Sequence, residues 1–344
     1  MSEKVAVVIL NWNGKQYLEK FLPKLVEHTP LHDIIVADNQ STDDSVSFLK
    51  SNHQNIQIIL NKENGGFAKG YNDAFKVIEG KYDYYVLINS DIEVTKGWIS
   101  PLVSLLDSDP KIAGVQPKVK SYQNKKIFEH AGASGGFIDK NYYPFCRGRI
   151  FDNIEKDEGQ YDNLKEIFWT TGACMIIRSK VYHELGGLDE DFFAHMEEID
   201  LCWRAKKKGH SFYVEPKAIV YHVGGGTLNY ENPRKTFLNF RNSLFAIHKN
   251  HEGLLFGKML YRLILDGVAG AKLLVSLKFN HFLAVLKAHL AYYKEIGSLN
   301  KKRAEIKRNS TDFNNAGLYK ASIIWAYYFK KIDTFKALNK RFFK

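Results

Sequence analysis

The chain has 344 residues, of which 45% are hydrophobic and 25% charged, a composition typical of a globular protein with a sizeable core rather than a disordered one. Its three cysteines are scattered and form no C-x-x-C pair, so a disulfide framework and a zinc module are disfavoured and a reducing compartment fits best. The net charge of +11 is uneven, because residues 241–344 carry 20 Lys and Arg against 6 Asp and Glu.

The amino-terminal segment predicts a first strand rather than a signal peptide, because its apolar run is short and stops early at a polar cluster. No stretch reaches the roughly 18 uninterrupted apolar residues of a spanning helix. The nearest, residues 263–277, contains Asp266 and Lys272. We therefore do not expect an integral membrane protein.

Up to residue 88 the chain alternates short apolar runs with amphipathic stretches. The runs VAVVIL, IIVA, IQIIL and YYVLI are rich in β-branched and aromatic residues, and the stretches between them have helical spacing. This alternation indicates βαβ units and a largely parallel sheet. Polar clusters follow the four strands, beginning at Asn11, Asp38, Asn61 and Asn89. Because the carboxyl ends of parallel strands share one edge, we expect these clusters to become neighbours.

The second and third clusters each have a structural interpretation. Ser41 to Asp44 predict an amino-terminal cap for the second helix, which leaves Asp38 unexplained. Gly65 and Gly66 either form a simple turn or let a nucleotide approach the backbone closely. The chain has neither G-x-x-x-x-G-K-[ST] nor G-x-G-x-x-G after a strand, so the kinase and dehydrogenase classes are disfavoured.

The fourth cluster, Asn89-Ser90-Asp91, has two interpretations that this stretch alone leaves open. A carboxylate beside amide and hydroxyl groups suits a divalent cation held jointly with a substrate phosphate. The same residues are typical of an Asx turn after a strand. Further on, the aromatic and arginine-rich residues 142–149 predict a solvated loop or an acceptor groove, and residues 152–165 predict an exposed loop.

A helix predicted from about residue 197 begins with Glu197, Glu198 and Asp200 and ends with lysines and Gly209. The helix dipole and a glycine C-cap explain part of this pattern. Three crowded carboxylates also repel one another, which raises the proton affinity of at least one and suits a general base. The structural and catalytic interpretations both stay open.

His222 ends the predicted strand AIVYH and precedes three glycines. A lone histidine is usually structural. At a strand end before glycines that admit a phosphate, it is also a candidate metal or diphosphate ligand.

Seven motifs in succession resemble the family 2 nucleotide-sugar glycosyltransferases of the GT-A fold, in particular the bacterial rhamnosyltransferase-like members. The motifs are VVILNWNG, IIVADNQSTDDS, NKENGGFAKGYNDA, VLINSDIEV, TGACMIIRS, GGLDEDFFAHMEEIDLCWR and YHVGGGT. FLNFRNSLFAIHKN, with Arg241 and Asn242, is similar to the segment that often follows them. The resemblance implies an α/β fold with a mixed, mostly parallel, Rossmann-like sheet flanked by helices.

The resemblance also implies a site for a nucleoside-diphosphate sugar. Asp38 would recognise the base, and Trp12 would pack on it. Asn89-Ser90-Asp91 takes the place of the D-x-D motif, with Asn89 departing from it as in the rhamnosyltransferase-like branch. The residues assigned in this way to donor binding are Asn11, Trp12, Asp38, Gly65, Gly66, Lys69, Asn89, Ser90 and Asp91.

For catalysis, the resemblance makes Glu198 the general base, with Glu197 and Asp200 as alternatives. It makes Asp91 and His222 the ligands of a divalent metal, Mn²⁺ or Mg²⁺. The implied reaction is inverting transfer from a dTDP-rhamnose-like or UDP-linked donor to a hydroxyl of a glycan or lipid-linked acceptor, in the synthesis of a cell-surface polysaccharide. The alternative, which the incomplete D-x-D motif leaves open, is a non-catalytic nucleotide-sugar-binding or scaffold subunit.

We divide the chain into a catalytic domain, residues 1–240, and a basic helical region, residues 241–344. The nucleotide-sugar half of the catalytic domain would cover about residues 1–118, and the acceptor half about 119–240. From residue 243 onward, apolar stripes with lysines and arginines fit helices on an anionic membrane surface, or a bundle packed on the catalytic domain. No nucleic-acid motif accompanies the charge, so nucleic acid is not expected as a partner. The expected location is cytoplasmic, at the inner face of the cell membrane.

Overall fold

The computed structural model describes residues 4–224 and 232–344. Within these ranges the strands are β1 Val5–Asn11, β2 Asp33–Asp38, β3 Gln57–Leu60, β4 Tyr84–Asn89, β5 Ile92–Val94, β6 Ile112–Ser121, β7 Gly136–Asp139, β8 Pro144–Cys146, β9 Arg149–Ile150, β10 Asn153–Ile154, β11 Lys165–Ile167, β12 Cys174–Arg178, β13 Ser211–His222 and β14 Leu318–Tyr319. The helices are α1 Lys15–His28, α2 Ser45–Asn52, α3 Gly66–Val77, α4 Ser100–Ser108, α5 Ser179–Glu184, α6 Glu197–Lys206, α7 Pro233–Asn250, α8 Leu255–Val275 and α9 Phe279–Arg308. Short 3₁₀ turns cover Glu190–Phe192, Phe335–Ala337 and Lys340–Phe342, and a π-helical turn covers Trp325–Phe329.

The larger sheet has nine strands in the order β11-β13-β6-β12-β4-β1-β2-β3, with β5 paired to β13. Strands β3, β2, β1 and β4 are parallel, whereas β12 is antiparallel to both β4 and β6. Alternate residues of β1 face opposite helical layers: Val7 and Ile9 pack with α1 and α4, and Ala6 and Val8 pack with α3. This period of two follows from the pleat of a strand covered on both faces. The fold is the expected α/β mixed sheet flanked by helices.

The parallel quartet brings the polar strand ends together. Asn11 pairs with Asp38, Leu10 pairs with Asn89, and Asp38 pairs with Leu60. The expectation that these ends share one edge of the sheet is confirmed, because all four strands run in the same direction.

The smaller sheet has the order β10-β9-β8-β7-β14. Its β7 pairs in parallel with β14, which comes from the carboxyl-terminal segment. Around it, Phe137 and Phe145 pack with Phe335 and Phe343, with ring centroids 4.7 to 6.4 Å apart. This aromatic cluster joins residues almost two hundred positions apart into one core.

The smaller sheet overturns two loop predictions. Phe145 and Arg147 are buried, because the 142–149 segment forms β8 and the start of β9; it is not a solvated loop. A role of its partly buried residues in an acceptor groove stays a prediction. Residues 152–165 are not simply an exposed loop either. Tyr161 lies in the core, and Asp157 pairs with the buried ammonium of Lys118 at 3.1 Å.

Helices α7, α8 and α9 pack on the catalytic half through apolar side chains. Leu244 and Phe245 of α7, Met259 of α8 and Tyr292 and Leu299 of α9 belong to the same core cluster as Phe137. The division of the chain at residue 240 stays a prediction. None of the helices within the two described ranges is both long enough and apolar enough to cross a bilayer.

Candidate active site

The ends of β1 and β2 form a polar network around Asp38. Its buried carboxylate accepts hydrogen bonds from Asn11 Nδ2 at 2.9 Å and from the N–H and hydroxyl of Ser41 at 2.8 and 2.7 Å. A carboxylate offers about four lone-pair sites, so one remains for a ligand. Trp12, the residue after Asn11, keeps 44% of its surface exposed. The donor-binding roles of Asn11, Trp12 and Asp38 stay predictions.

The same network corrects the cap prediction for Ser41. The hydroxyl of Ser41 donates to Asp38, and α2 begins only at Ser45, whose N–H donates to Asp43 Oδ1 at 3.0 Å. Within the predicted cap, Asp43 rather than Ser41 therefore holds the start of α2. The carboxylate of Asp38 is a stronger acceptor than a hydroxyl and holds Ser41 against the strand end.

The amino end of α3 carries the glycine pair. Gly66 has φ of +82°, and a Cβ there would lie 2.4 Å from the carbonyl oxygen of Phe193. That oxygen accepts a hydrogen bond of 2.7 Å from the N–H of Phe67, so it occupies the first turn of α3. The absence of a side chain at Gly66 therefore lets the segment before α6 contact the first turn of α3. Contact of this turn with a donor nucleotide stays a prediction.

Lys69 folds back over the same turn. A Cβ on Gly65 would lie 2.5 Å from the Lys69 side chain, and the Lys69 ammonium lies 2.8 Å from a carboxylate oxygen of Asp73. The placement of Gly65 and Lys69 along the phosphates stays a prediction.

Asp91 and His222 meet although 131 positions separate them in the sequence. Strand β5 pairs antiparallel with β13, so His222 lies opposite Ile92 and its Nε2 comes to 3.2 Å from Asp91 Oδ1. On the other side of the ring, Nδ1 lies 3.3 Å from Glu129 Oε2. All three side chains are buried. The resemblance puts Asp91 and His222 in one site, and the structure brings them together.

The charges around His222 are balanced within this trio. Burial by itself lowers the pKa of His222, but Asp91 and Glu129 outweigh burial and raise that pKa to about 10. Conversely, burial raises the pKa of Glu129, but the hydrogen bond and charge of His222 hold it below its ordinary value. The following glycines fall partly outside the described residues: Gly224 is described, with φ of +74°, and Gly225 and Gly226 are not.

Asp91 Oδ1 and His222 Nε2 are the two atoms of this trio expected to bind a cation. Among residues 4–224 and 232–344, no group of three or more His, Cys, Asp or Glu side chains is arranged to hold a metal ion. With a pKa of about 10 the ring of His222 is protonated in this pairing, so Nε2 becomes a donor atom only when a cation replaces that proton. The two atoms lie 3.2 Å apart, close to the separation of about 3 Å between neighbouring ligand atoms of an octahedral cation. A donor set of this size fits a cation that keeps water and substrate phosphate oxygens as its other ligands. Asn89 and Ser90 lie half-exposed at the same strand end.

The segment before α6 has an unusual backbone. Phe193, His195 and Met196 have φ of +63°, +70° and +73°, a region that residues with a Cβ rarely adopt. The buried amide of Asn242 in α7 donates to the carbonyl oxygens of this segment, and Arg241 Nη2 donates to that of Phe192 at 3.0 Å. Helix α7 therefore fixes the turn that leads into the acidic end of α6.

Glu198 lies in the first turn of α6, half-buried, with its Oε2 atom enclosed and unpaired among the residues that the structure describes. Burial raises its pKa to about 7, against the opposing effect of the backbone N–H groups at the helix start. Glu197 is more deeply buried, and burial followed by the charge of Glu198 raises its pKa well above the ordinary range. Burial, rather than mutual repulsion, is the larger cause in both.

Glu198 lies close to the edge of the sheet where β4 ends. A Cβ on Gly172 would lie 3.8 Å from Glu198 Cβ and 3.1 Å from the Phe67 ring. The next residue, Ala173, accepts a hydrogen bond of 2.9 Å from the N–H of Asn89. The start of α3, the residues before β12, the end of β4 and the start of α6 therefore lie next to one another.

The carboxylate of Asp200 lies instead in a network of cationic side chains. Arg204 Nε and Lys249 Nζ lie 2.8 and 2.9 Å from its carboxylate, and Asn250 Nδ2 donates at 2.8 Å. Burial opposes ionisation of Asp200, but Lys249 and Arg204 lower its pKa. A carboxylate held this way is a poor proton acceptor, so among the three acids Asp200 is the weakest candidate for a base.

Neither Glu129 nor His195 has a sequence signal from which its position could be predicted. Glu129 lies between β6 and β7 in no recognised motif, and only the pairing of β13 with β6 brings it to His222. His195 sits inside the motif FFAHMEE, where the adjacent acids draw attention instead. Burial, with the charge of Lys235, lowers its pKa to about 4, so the ring is neutral at pH 7.

Comparison with known proteins agrees with this geometry. The profile "Glycosyl transferase family 2" matches residues 6–186. The chain is similar to N-acetylglucosaminyl-diphospho-decaprenol L-rhamnosyltransferase of Mycobacterium tuberculosis, with 22% identity over 66% of this chain and 78% of that protein. It is also similar to the dTDP-rhamnosyl transferase RfbF of Shigella flexneri, with 21% identity over 74% of this chain and 83% of that protein. Among solved structures, GalNAc-T7 with UDP, GalNAc and Mn²⁺ has a TM-score of 0.57 at 15% identity; the match covers 72% of this chain and 48% of that one.

Proposed function

Because the chain belongs to glycosyl transferase family 2, we propose that it moves a sugar, with inversion, from a nucleoside diphosphate to a hydroxyl of a glycan or lipid-linked acceptor. The observation that carries this proposal is the position of Glu198. Its carboxyl group has a pKa of about 7, and its Cβ lies next to Gly172. The following residue, Ala173, accepts a hydrogen bond at its carbonyl oxygen from the N–H of Asn89. A proton acceptor thus adjoins the strand edge that supports the donor.

In the proposed reaction Glu198 removes the proton from the acceptor hydroxyl. The hydroxyl oxygen attacks the anomeric carbon as the bond between that carbon and the diphosphate oxygen breaks. The electron pair of that bond leaves with the nucleoside diphosphate, and attack from the opposite face inverts the anomeric centre. Asn242 and Arg241 hold the backbone before α6, so the base keeps its position between turnovers.

We propose Asp38, Asn11 and Trp12 as the nucleoside site. One lone pair of Asp38 remains after its three internal hydrogen bonds, and it accepts an N–H from the base. The exposed ring of Trp12 offers a stacking surface. The names of the two curated relatives point to a dTDP-linked rhamnose as the first donor to test, with UDP-sugars as the second.

We propose that Asp91 and His222 hold a divalent cation, Mn²⁺ or Mg²⁺, together with the donor diphosphate. The similar GalNAc-T7 structure contains Mn²⁺ together with UDP, which supports this choice of ion. When bound, such a cation would neutralise the charge that develops on the leaving diphosphate. Asp91, buried and 3.2 Å from His222, would hold the cation through its carboxylate.

For the acceptor we propose a lipid-linked saccharide at the cytoplasmic face of the cell membrane, used in a cell-surface polysaccharide. The support is the name of the mycobacterial relative, which includes a diphospho-decaprenol.

The deciding experiment is a transfer assay with dTDP-rhamnose and UDP-sugars, with wild-type protein and Glu198→Gln. We expect at least one donor to be consumed with formation of a glycosylated acceptor. In Glu198→Gln we expect a loss of turnover of about 10²–10⁴-fold with donor binding retained, because loss of a general base has this effect. Glu305→Gln, on the exposed face of α9, makes the same chemical change away from the site and should keep full turnover. Equal turnover in wild type and Glu198→Gln would reject the base.

A further inference from the structure

Helices α8 and α9 form a hairpin with apolar side chains on both of its sides. On its inner side Met259, Val285 and Tyr292 are buried. The same side holds an ion pair, Arg262 Nε to Asp266 Oδ1 at 2.8 Å, with His289 Nε2 at 3.5 Å from Asp266. The inner side therefore has its own apolar contacts, and the exposed apolar side chains of the outer face are additional to them.

The outer face carries two apolar stripes at helical spacing. The exposed residues of α8 are Phe256, Leu260, Ile264, Val268 and Val275, and those of α9 are Phe279, Leu283, Leu286, Leu290 and Tyr293. The tip between the helices is also apolar, since Val275 and Leu277 are 84% and 76% exposed. We call this surface, residues 254–294, the hairpin face.

The apolar surface continues into the carboxyl-terminal segment. The rings of Trp325 and Phe329 stack at 4.2 Å and are both exposed. Lys272 at the end of α8 lies 5.2 Å over the ring of Tyr328, which connects this segment to the hairpin. Exposed apolar surface of this extent marks a binding surface in a folded protein.

The charges of the hairpin face select its partner. Residues 254–294 contain six Lys and Arg and one acid, Asp266, which is buried against Arg262. Lys272, Lys278, Lys287 and Lys294 are exposed beside the apolar stripes. Two copies of this face brought together would juxtapose like charges without an exposed carboxylate to offset them. An anionic lipid surface offers both the apolar interior and the negative charge.

Helix α7 connects the hairpin to the segment before α6. Thr236 Oγ1 near the start of α7 lies 2.8 Å from His281 Nδ1 near the start of α9. Two residues before Thr236, Arg234 lies 4.8 Å over the ring of Phe193, in the segment that precedes Glu197. A membrane against the hairpin face would therefore lie near the segment that leads to the proposed base Glu198.

We propose that the hairpin face docks on an anionic lipid bilayer, with the α8–α9 tip and the exposed Trp325 and Phe329 in the interfacial region. The docking itself depends only on this surface. Its connection with a lipid-linked acceptor rests on the proposed function, which the docking deepens. It replaces the broad assignment of residues 243–344 with one defined face.

The test is co-sedimentation of the full chain with phosphatidylcholine vesicles that contain or lack about 30% phosphatidylglycerol, a fraction on the order of that in anionic membranes. The apolar variant is Ile264→Ser, Leu283→Ser and Leu290→Ser, and its matched control is Leu31→Ser, Val77→Ser and Leu164→Ser, all exposed in the catalytic half. The charge variant is Lys272→Gln, Lys278→Gln and Lys287→Gln, and its control is Lys50→Gln, Lys81→Gln and Lys111→Gln. Circular dichroism and light scattering establish folding and oligomeric state for each protein.

We expect wild type to bind the anionic vesicles at least tenfold more tightly than the neutral ones. The charge variant should lose about 100-fold in affinity, since each lysine near an anionic surface contributes about one order of magnitude or slightly less. The apolar variant should lose at least tenfold, and both controls should bind like wild type.

Absence of vesicle binding by wild type, or equal binding by all variants, would overturn the proposal. A wild-type dimer that the apolar variant dissociates, without vesicle binding, would assign the face to a second copy instead. Donor is absent from these assays, and Glu198→Gln should bind vesicles like wild type, so failure of the docking and failure of the proposed transfer are separable.

Discussion

The side-chain amide of Asn242 lies 2.7 Å from the carbonyl oxygen of His195, 47 residues earlier in the chain. The same amide lies within 2.9 Å of the carbonyl oxygens of Phe192 and Ala194. Three carbonyl groups thus converge on one buried donor just before the acidic end of α6. Backbone with positive φ is costly, and these hydrogen bonds offset that cost.

We expect Asn242→Ala to lower kcat at least tenfold, with a smaller change in the KM for the donor. The segment before Glu197 would relax and displace Glu198, whereas the donor edge is built on other strands. The free energy of unfolding should fall by about 1–3 kcal/mol, because buried carbonyl groups lose their donor. Steady-state kinetics and urea unfolding measure both effects. Asn55→Ala, at an exposed position before β3, is the control; wild-type kcat in Asn242→Ala would show that the segment does not position the base.

Gly66→Ala tests the contact between α3 and the same segment. Its Cβ would lie 2.4 Å from the Phe193 carbonyl oxygen, and its φ of +82° disfavours any side chain. Gly80 has a similar φ of +75° with no atom within 4 Å of the added Cβ, so Gly80→Ala isolates the cost of φ alone. We expect Gly66→Ala to destabilise the protein by about 1–3 kcal/mol more than Gly80→Ala, as overpacking does. Equal unfolding free energies for the two variants would refute a tight contact.

The pKa of about 7 at Glu198 sets a pH dependence of turnover. A base must be deprotonated, so kcat/KM should rise about tenfold per pH unit below pH 7 and level off above it. A stopped assay from about pH 5 to 9 measures this profile. Activity that is flat across that range would argue against a titrating base at this position.

The same group links pH to stability. Its pKa is higher in the folded chain than the ordinary value of 4.5, so the folded state binds more protons between about pH 4.5 and 7. The contribution of Glu198 to stability is therefore complete below about pH 4.5 and is lost as pH rises through about 7. Urea unfolding of wild type and Glu198→Gln at about pH 5 and pH 8 should show a smaller decline in the variant. An identical decline in the unfolding free energy of the two proteins would show that a group other than Glu198 binds the proton.

Removal of divalent cations should abolish transfer. Activity lost in a chelator should return with Mn²⁺ or Mg²⁺, and Asp91→Asn should need at least tenfold more cation for half of its maximal activity, because one anionic ligand becomes neutral. Asp152→Asn, at an exposed position, is the matched control. Full activity of wild type in excess chelator would rule out the proposed cation.

The sequence predicts the shared edge of the four parallel strands well, because this edge depends on local pattern; the donor-binding roles of its residues stay predictions. Four apolar runs, each ended by a polar cluster, suffice to bring Asn11, Asp38 and Asn89 to one edge. The other groups that contact this edge and the start of α6 are brought there by tertiary pairing, which a local sequence pattern does not predict. Glu129 reaches His222 only through the pairing of β13 with β6, and the Phe193 carbonyl enters α3 only because α7 holds the segment around it.

The sequence around Phe145 predicts a loop because β8 and β9 are three and two residues long, too short for a clear period. The burial of Phe145 depends on Phe335 and Phe343, far along the chain, so no window centred on Phe145 contains the reason. The cap prediction for Ser41 is wrong for a similar cause: its hydroxyl donates to the carboxylate of Asp38 at the end of β2, and Asp43 instead accepts a hydrogen bond from the first N–H of α2.

The pairing of β7 with β14 has a consequence for the order in which the molecule is completed. Strand β14 and the phenylalanines that cover Phe137 lie between residues 318 and 343, so the smaller sheet keeps an open edge until that stretch has left the ribosome. Contacts of such long sequence separation form slowly. A chain cut before residue 318 would therefore expose Phe137 and Phe145 and favour aggregation, even though the residues lost are far along the chain from the acids of α6.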